Sequence, residues 1–193
     1  RDRLAILMSS ATNLRAIVTN ILDLSKIEAG KMDVIVERFI VLPLLSEAAE
    51  TTRVLVGNKP VTVDVVSYND ETVMVSDPVK IRQILTNLLS NAAKFTEEGK
   101  ITLSLGREGD RVRIEVTDTG TGIREEEMDK LFVAFSQLED TMTKRHEGTG
   151  LGLTITKNLL GILGGDISVS SRFGEGTRFT VLLPLTYNKG GLS

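Results

Sequence analysis

Lys100-Ile-Thr-Leu-Ser-Leu-Gly-Arg107, Glu108-Gly-Asp110, Arg111-Val-Arg-Ile-Glu-Val-Thr-Asp118 is the stretch that decides the fold class. It reads as two strands joined by a short turn that contains glycine. So short a joint connects antiparallel neighbours, because a parallel pair needs a crossover of about a dozen residues or more. A second short joint, Gly174-Glu-Gly176, separates runs over 166–173 and 177–185 that also read as strands. These hairpins argue against an all-parallel doubly wound sheet. Helical patterns lie between the strands, so the expected class is α/β, a two-layer α/β sandwich with helices on one face of a mixed sheet.

Just upstream, Asp77-Pro78 opens a helix that runs to about Phe95. Asp77 suits its N-cap, Pro78 its first turn, and Ile81, Ile84, Leu85, Leu88 and Leu89 its apolar face. Earlier still, 61–66 and 72–76 are β-rich and read as a hairpin or adjacent strands. Residues 43–56 read as a helix ending at Gly57, and Met32 opens a short strand pattern through Val34, Val36 and Phe39. On the other side of the hairpin, a short helix is expected over 124–132, a polar and mobile segment over 136–147, and a helix over 150–163.

Residues 3–28 carry a different pattern. Leu4, Leu7, Ala11, Leu14, Val18 and Ile21 are spaced alternately by three and four, a heptad seam, and Gly30 is a plausible stop. One helix this long cannot bury such a stripe on itself. It is expected to pack on another helix, in a coiled coil or four-helix bundle. The domain reading is therefore 1–30 as part of a helical domain, 31–187 as a globular domain and 188–193 as a tail.

Composition excludes several classes. The chain of 193 residues has 41% hydrophobic residues, no cysteine and a single histidine. Disulfides and thiolate metal sites are excluded, and a multi-histidine zinc site is disfavoured. The net charge of −3 and the spread of charged residues do not resemble a nucleic-acid binder. No apolar run approaches the ~20 residues of a membrane span. A cytoplasmic location is expected, with membrane anchoring open for a longer parent.

Three segments have chemistry that suits a nucleotide. In Asn87-Leu-Leu-Ser-Asn91-Ala-Ala-Lys94-Phe95, the residues Asn87, Asn91 and Lys94 share one helix face opposite the apolar stripe. An amide oxygen is a hard neutral ligand that suits Mg²⁺, and a lysine one turn on can neutralise phosphate. Asp118-Thr-Gly120-Thr-Gly122-Ile123 follows a strand, so Asp118 can accept from an amine while the glycines permit close backbone approach. Gly148-Thr149-Gly150-Leu151-Gly152-Leu153 opens a helix whose uncovered N–H groups and positive dipole end can hold phosphate. Each segment alone also fits an ordinary solvated face, turn or hinge. The third is not the lysine-bearing phosphate loop, and its setting does not suit a dinucleotide fold.

Taken in this order, the segments resemble the N box and the two glycine boxes of the histidine-kinase family of Bergerat-fold ATPases. Leu131-Phe-Val-Ala-Phe-Ser-Gln137 is similar to the family's F box. Gly174-Glu-Gly-Thr-Arg-Phe179 is similar to its glycine turn before the last strand. Asp23-Leu-Ser-Lys-Ile-Glu-Ala-Gly30 resembles the end of the second helix of the dimerisation and phosphoacceptor domain.

The resemblance implies ATP and Mg²⁺ as ligands. Asp118 would accept from the adenine amine, Gly120, Gly122 and Ile123 would border the base, and Phe95 would flank it. Asn91 would bind Mg²⁺ near Asn87, and Lys94 would pair with phosphate. Gly148, Thr149, Gly150, Leu151, Gly152 and Leu153 would hold phosphates and hinge a lid over 136–147, from which Lys144 or Arg145 would reach the nucleotide. Phe132 and Phe135 would anchor that lid.

The implied reaction is transfer of the γ-phosphoryl group to a histidine, then relay to a response-regulator receiver domain. The acceptor helix would belong to the same or a second subunit of a homodimer. On this resemblance the phosphoacceptor helix would precede the seam helix, outside these 193 residues. His146, in Lys-Arg-His-Glu-Gly, lacks the surroundings of an acceptor, and Glu147 stands where relatives often carry glycine. The chain is therefore expected to bind ATP without completing the kinase reaction alone. Two other readings are a degenerate relative that uses nucleotide only to change shape, and another Bergerat ATPase. The seam helix argues against the latter.

Overall fold

The computed structural model describes residues 2–68, 71–135 and 150–188. The element order is α1 (Asp2–Glu28), β1 (Glu37–Ile40), α2 (Val41–Val56), β2 (Val61–Ser67), β3 (Val73–Ser76), α3 (Pro78–Phe95), β4 (Gly99–Glu108), β5 (Arg111–Asp118), a 3₁₀ turn (Glu125–Lys130), α4 (Gly152–Leu163), β6 (Asp166–Arg172) and β7 (Gly176–Pro184). Among the described residues, five strands form one sheet in the order β2-β4-β5-β7-β6. The β2–β4 pair is parallel and the others antiparallel, so the sheet is mixed.

Alternation along the strands builds one apolar face. Ile101, Leu103 and Leu105 of β4, Val112, Ile114 and Val116 of β5, and Phe179, Val181 and Leu183 of β7 are all buried. They meet Leu45 and Ala49 of α2, Ile81, Leu85 and Leu88 of α3, and Ile155, Leu159 and Leu163 of α4. The result is the two-layer α/β sandwich, with its three core helices on one face.

Local signals set α3 closely. Asp77 caps it, accepting from the N–H groups of Val79 and Lys80 at 3.0 Å each, and Pro78 follows. At the end of α1, the Gly30 N–H donates to the Ile27 carbonyl and the Lys31 N–H to that of Lys26, which terminates the helix. No helix of the described residues is long and apolar enough to cross a membrane.

Three expectations are corrected. Residues 61–66 and 72–76 are neither a hairpin nor adjacent: β2 pairs with β4, and β3 pairs with β1 in a separate two-stranded sheet. The reason is non-local. The crossover through β3 and α3 is long enough to bring β2 parallel to β4. The strand expected from Met32 begins only at Glu37, because the Ile35 N–H is taken by the Asp77 carboxylate at 2.9 Å instead of a ladder partner. The helix expected from residue 150 starts at Gly152, since Gly150 has a φ of +67° and lies outside the helical region.

Candidate nucleotide site

The three candidate segments are sequence-distant, and the fold brings their described parts together at one end of the sandwich. Asn87 on α3 donates from its amide to the Gly152 carbonyl at 3.1 Å and to the Thr156 hydroxyl at 3.3 Å. It thereby holds the start of α4 against α3. A Cβ on Gly152 would lie 3.7 Å from the Asn87 amide carbon, an ordinary contact. The glycine therefore avoids no clash there; it leaves the first turn uncovered.

Among the described residues no side chain caps that turn, and the first N–H groups of a helix have no partner within the helix itself. Leu151 is 1% exposed and belongs to the core, and Leu153 packs partly against it. Only their backbone can face a phosphate. Asn91 and Lys94 are half-buried on the same helix as Asn87. Burial pushes the Lys94 ammonium below its ordinary pKa, and its Nζ lies 4.8 Å from the centre of the Phe95 ring. Phe95 itself is 37% exposed.

Asp118 ends β5 with its side chain on the inner face of the sheet. Burial raises its pKa, and hydrogen bonds from the backbone N–H groups of Gly120 and Thr177 only partly offset that. The Gly120 N–H lies 2.9 Å from Oδ1. The glycines after it serve a close approach of the chain to itself. A Cβ on Gly120 would overlap the Phe95 carbonyl, and one on Gly122 (φ +66°) would overlap that of Arg172. Thr121 bridges the same two elements. Its N–H donates to the Phe95 carbonyl at 3.1 Å, and its carbonyl accepts from the Gly174 N–H at 2.7 Å. The loop is thus gripped between the end of α3 and the β6–β7 turn. The Ile123 N–H donates to the Ser171 hydroxyl at 2.9 Å.

Phe132 packs against the core, and its carbonyl accepts from the Thr154 hydroxyl at 3.1 Å. Phe135 is held differently from Phe132. Its ring is 66% exposed, and it is its N–H that is held, by the Gly150 carbonyl at 3.2 Å. This bond ties together the two ends that flank residues 136–149. Lys144, Arg145, Gly148, Thr149 and His146 lie outside the described residues, as does the expected lid.

Sequence reasoning missed Ser171 and Thr177. Both sit in strands of alternating burial, and nothing local distinguishes them from structural hydroxyls. It also missed the Asp23 carboxylate of α1, which accepts from the Gln83 amide of α3 at 2.9 Å.

A polar helix face, a helix start that no described side chain caps and a buried carboxylate at a strand end lie together at one end of the sandwich. The chain matches the family of histidine kinase-, DNA gyrase B- and HSP90-like ATPases over residues 76–187 and belongs to it. It is 41% identical over 187 residues to the circadian input-output histidine kinase CikA of Synechococcus elongatus, covering 95% of this chain and 25% of that protein. It is 41% identical over 191 residues to the autoinducer 2 sensor kinase/phosphatase LuxQ of Vibrio cholerae, covering 96% and 22%. The fold is similar to that of full-length ShkA in complex with AMPPNP, with a TM-score of 0.85 and 28% identity over 97% of this chain and 39% of that one. The chain spans about a quarter of the length of the curated relatives it matches. It is an ATP-binding catalytic domain of the histidine-kinase type.

Proposed function

We propose that this domain binds Mg–ATP at the junction of α3, the 118–123 loop and α4. We further propose that it delivers the γ-phosphoryl group to a histidine on a helical domain, for relay to a receiver domain. The observation that carries this reading is the convergence of Asn87, the glycine-bearing start of α4 and buried Asp118 at one end of the sandwich.

Asp118 accepts from the exocyclic amine of adenine. The N–H groups at the start of α4 and the Lys94 ammonium receive the phosphates. The donor set fits magnesium: the Asn91 amide is half-buried and has no hydrogen-bond partner among the described residues. Its oxygen is the neutral hard ligand that Mg²⁺ takes alongside substrate phosphates and water. When bound, the metal supplies neutralisation of phosphate charge. Phosphoryl transfer depends mainly on such neutralisation and on positioning.

Calorimetric titration tests the base contact. Asp118→Asn is expected to weaken ATP binding at least about tenfold, the loss expected for a hydrogen bond to a charged group. Unchanged affinity overturns the adenine assignment. With γ-labelled ATP, the chain by itself is expected to incorporate no label. Stoichiometric label on His146 would contradict an acceptor on a separate helical domain.

A further inference from the structure

Asp118 of β5 and Thr177 of β7 are partners in register, and both are 7% exposed. A threonine hydroxyl can donate or accept. Free to rotate, Thr177 would serve a purine with an oxygen at position 6 as readily as one with an amine. The residues behind it remove that freedom.

The Ser171 Oγ lies 2.9 Å from the Ile123 N–H nitrogen, 2.8 Å from the Gly176 carbonyl oxygen and 2.9 Å from the Thr177 hydroxyl. A serine hydroxyl has one proton and two acceptor lone pairs. Ile123 can only donate and Gly176 can only accept. The single Ser171 proton therefore goes to Gly176, and Thr177 must give its own proton to Ser171. Thr177 is left with lone pairs alone, beside a carboxylate that also accepts.

We infer that Ser171 is a positioning residue that sets the polarity of the base pocket. By drawing the Thr177 proton away, it makes Asp118 and Thr177 an acceptor-only pair that favours a 6-amino purine over a 6-oxo purine. The inference rests on the proposed adenine contact of Asp118. Ser171 also ties down the end of the 118–123 loop through Ile123, so loop order and proton order have one source.

The test compares affinities of the 193-residue chain for ATP and for inosine triphosphate, in which an oxygen replaces the amine. Ser171→Ala releases the Thr177 proton to turn toward the base. The ratio of ATP to inosine triphosphate affinity is expected to narrow about fivefold, the scale of one neutral hydrogen bond. Ser171→Thr, which keeps the hydroxyl, should restore it. In a Thr177→Val background Ser171→Ala should leave the ratio where it is.

A ratio that stays at the wild-type value in a folded Ser171→Ala chain overturns the inference. If that variant does not fold, Thr177→Val alone decides, since it too must narrow the ratio. Asp118→Asn separates the two levels. If it leaves both affinities untouched, the adenine reading itself fails. If it abolishes discrimination while Ser171→Ala leaves discrimination whole, only the role of Ser171 fails.

Discussion

Asp118 and Asp77 are both buried carboxylates, yet they bear on stability with opposite signs. Burial raises the Asp118 pKa, so the fold favours its protonated form. Stability from this group is present below the ordinary carboxylate pKa and is lost as pH rises from there through the raised value. At neutral pH the ionised side chain therefore costs the fold stability, a cost found at binding sites. Asp118→Asn is expected to hold or raise the melting temperature at pH 7 while it impairs ATP binding. Scanning calorimetry at pH 4 and pH 7 checks this: the gain of the variant over wild type should be larger at pH 7. A clear drop at pH 7 would make Asp118 a structural residue.

At the scale of elements, Asp77 joins the linker after α1 to the start of α3. Burial raises its pKa, but the Lys80 ammonium and the N–H groups of Ile35 and Lys80 together outweigh that, and the net shift is downward. Lys80 Nζ lies 2.7 Å from the carboxylate, with the two side chains 12% and 1% exposed, and 2.5 Å from the Asp33 carbonyl. This contribution is whole above the ordinary carboxylate pKa and fades as pH falls through the lowered value. Asp77→Ala removes a helix cap and leaves a largely buried ammonium unpaired, so a loss of about 3 kcal/mol is expected in denaturant melts. Exchange of the Ile35 amide proton should also quicken. Unaltered protection at Ile35 would show that the clamp does not hold the linker.

At the scale of the molecule, α1 is docked at one end and is open along the described part of its seam. Leu24 and Ile27 pack against the core and Asp23 meets Gln83, while Leu14, Val18, Ile21 and Leu22 are 44–62% exposed. We propose that this stripe is the contact with a second helix. Sedimentation at tens of micromolar should show a concentration-dependent dimer. Leu14→Glu with Ile21→Glu should abolish it and leave the melting of the globular domain unaltered. A wild-type chain that stays monomeric throughout would rule out self-association through the seam.

The features legible from sequence were those whose physics is local. The α3 cap, its proline and its apolar stripe fall within a few residues of one another. So do the β4–β5 turn and the heptad spacing of α1, and each was readable as it stands. The glycine segments were visible too, although the immediate reason for Gly120 and Gly122 is a close fit to the Phe95 and Arg172 carbonyls.

The partners of β1, β2 and β3 were not legible, because pairing over such separations depends on where α3 carries the chain. Nor was the Ser171–Thr177–Asp118 array, in which β6, β7 and β5 each supply one side chain from a strand of ordinary appearance. The sequence by itself determined which segments have chemistry that suits a nucleotide, and in what order they come. Only the tertiary structure decided which way their hydrogen bonds point, because that follows from a hydroxyl 53 positions after the carboxylate it serves.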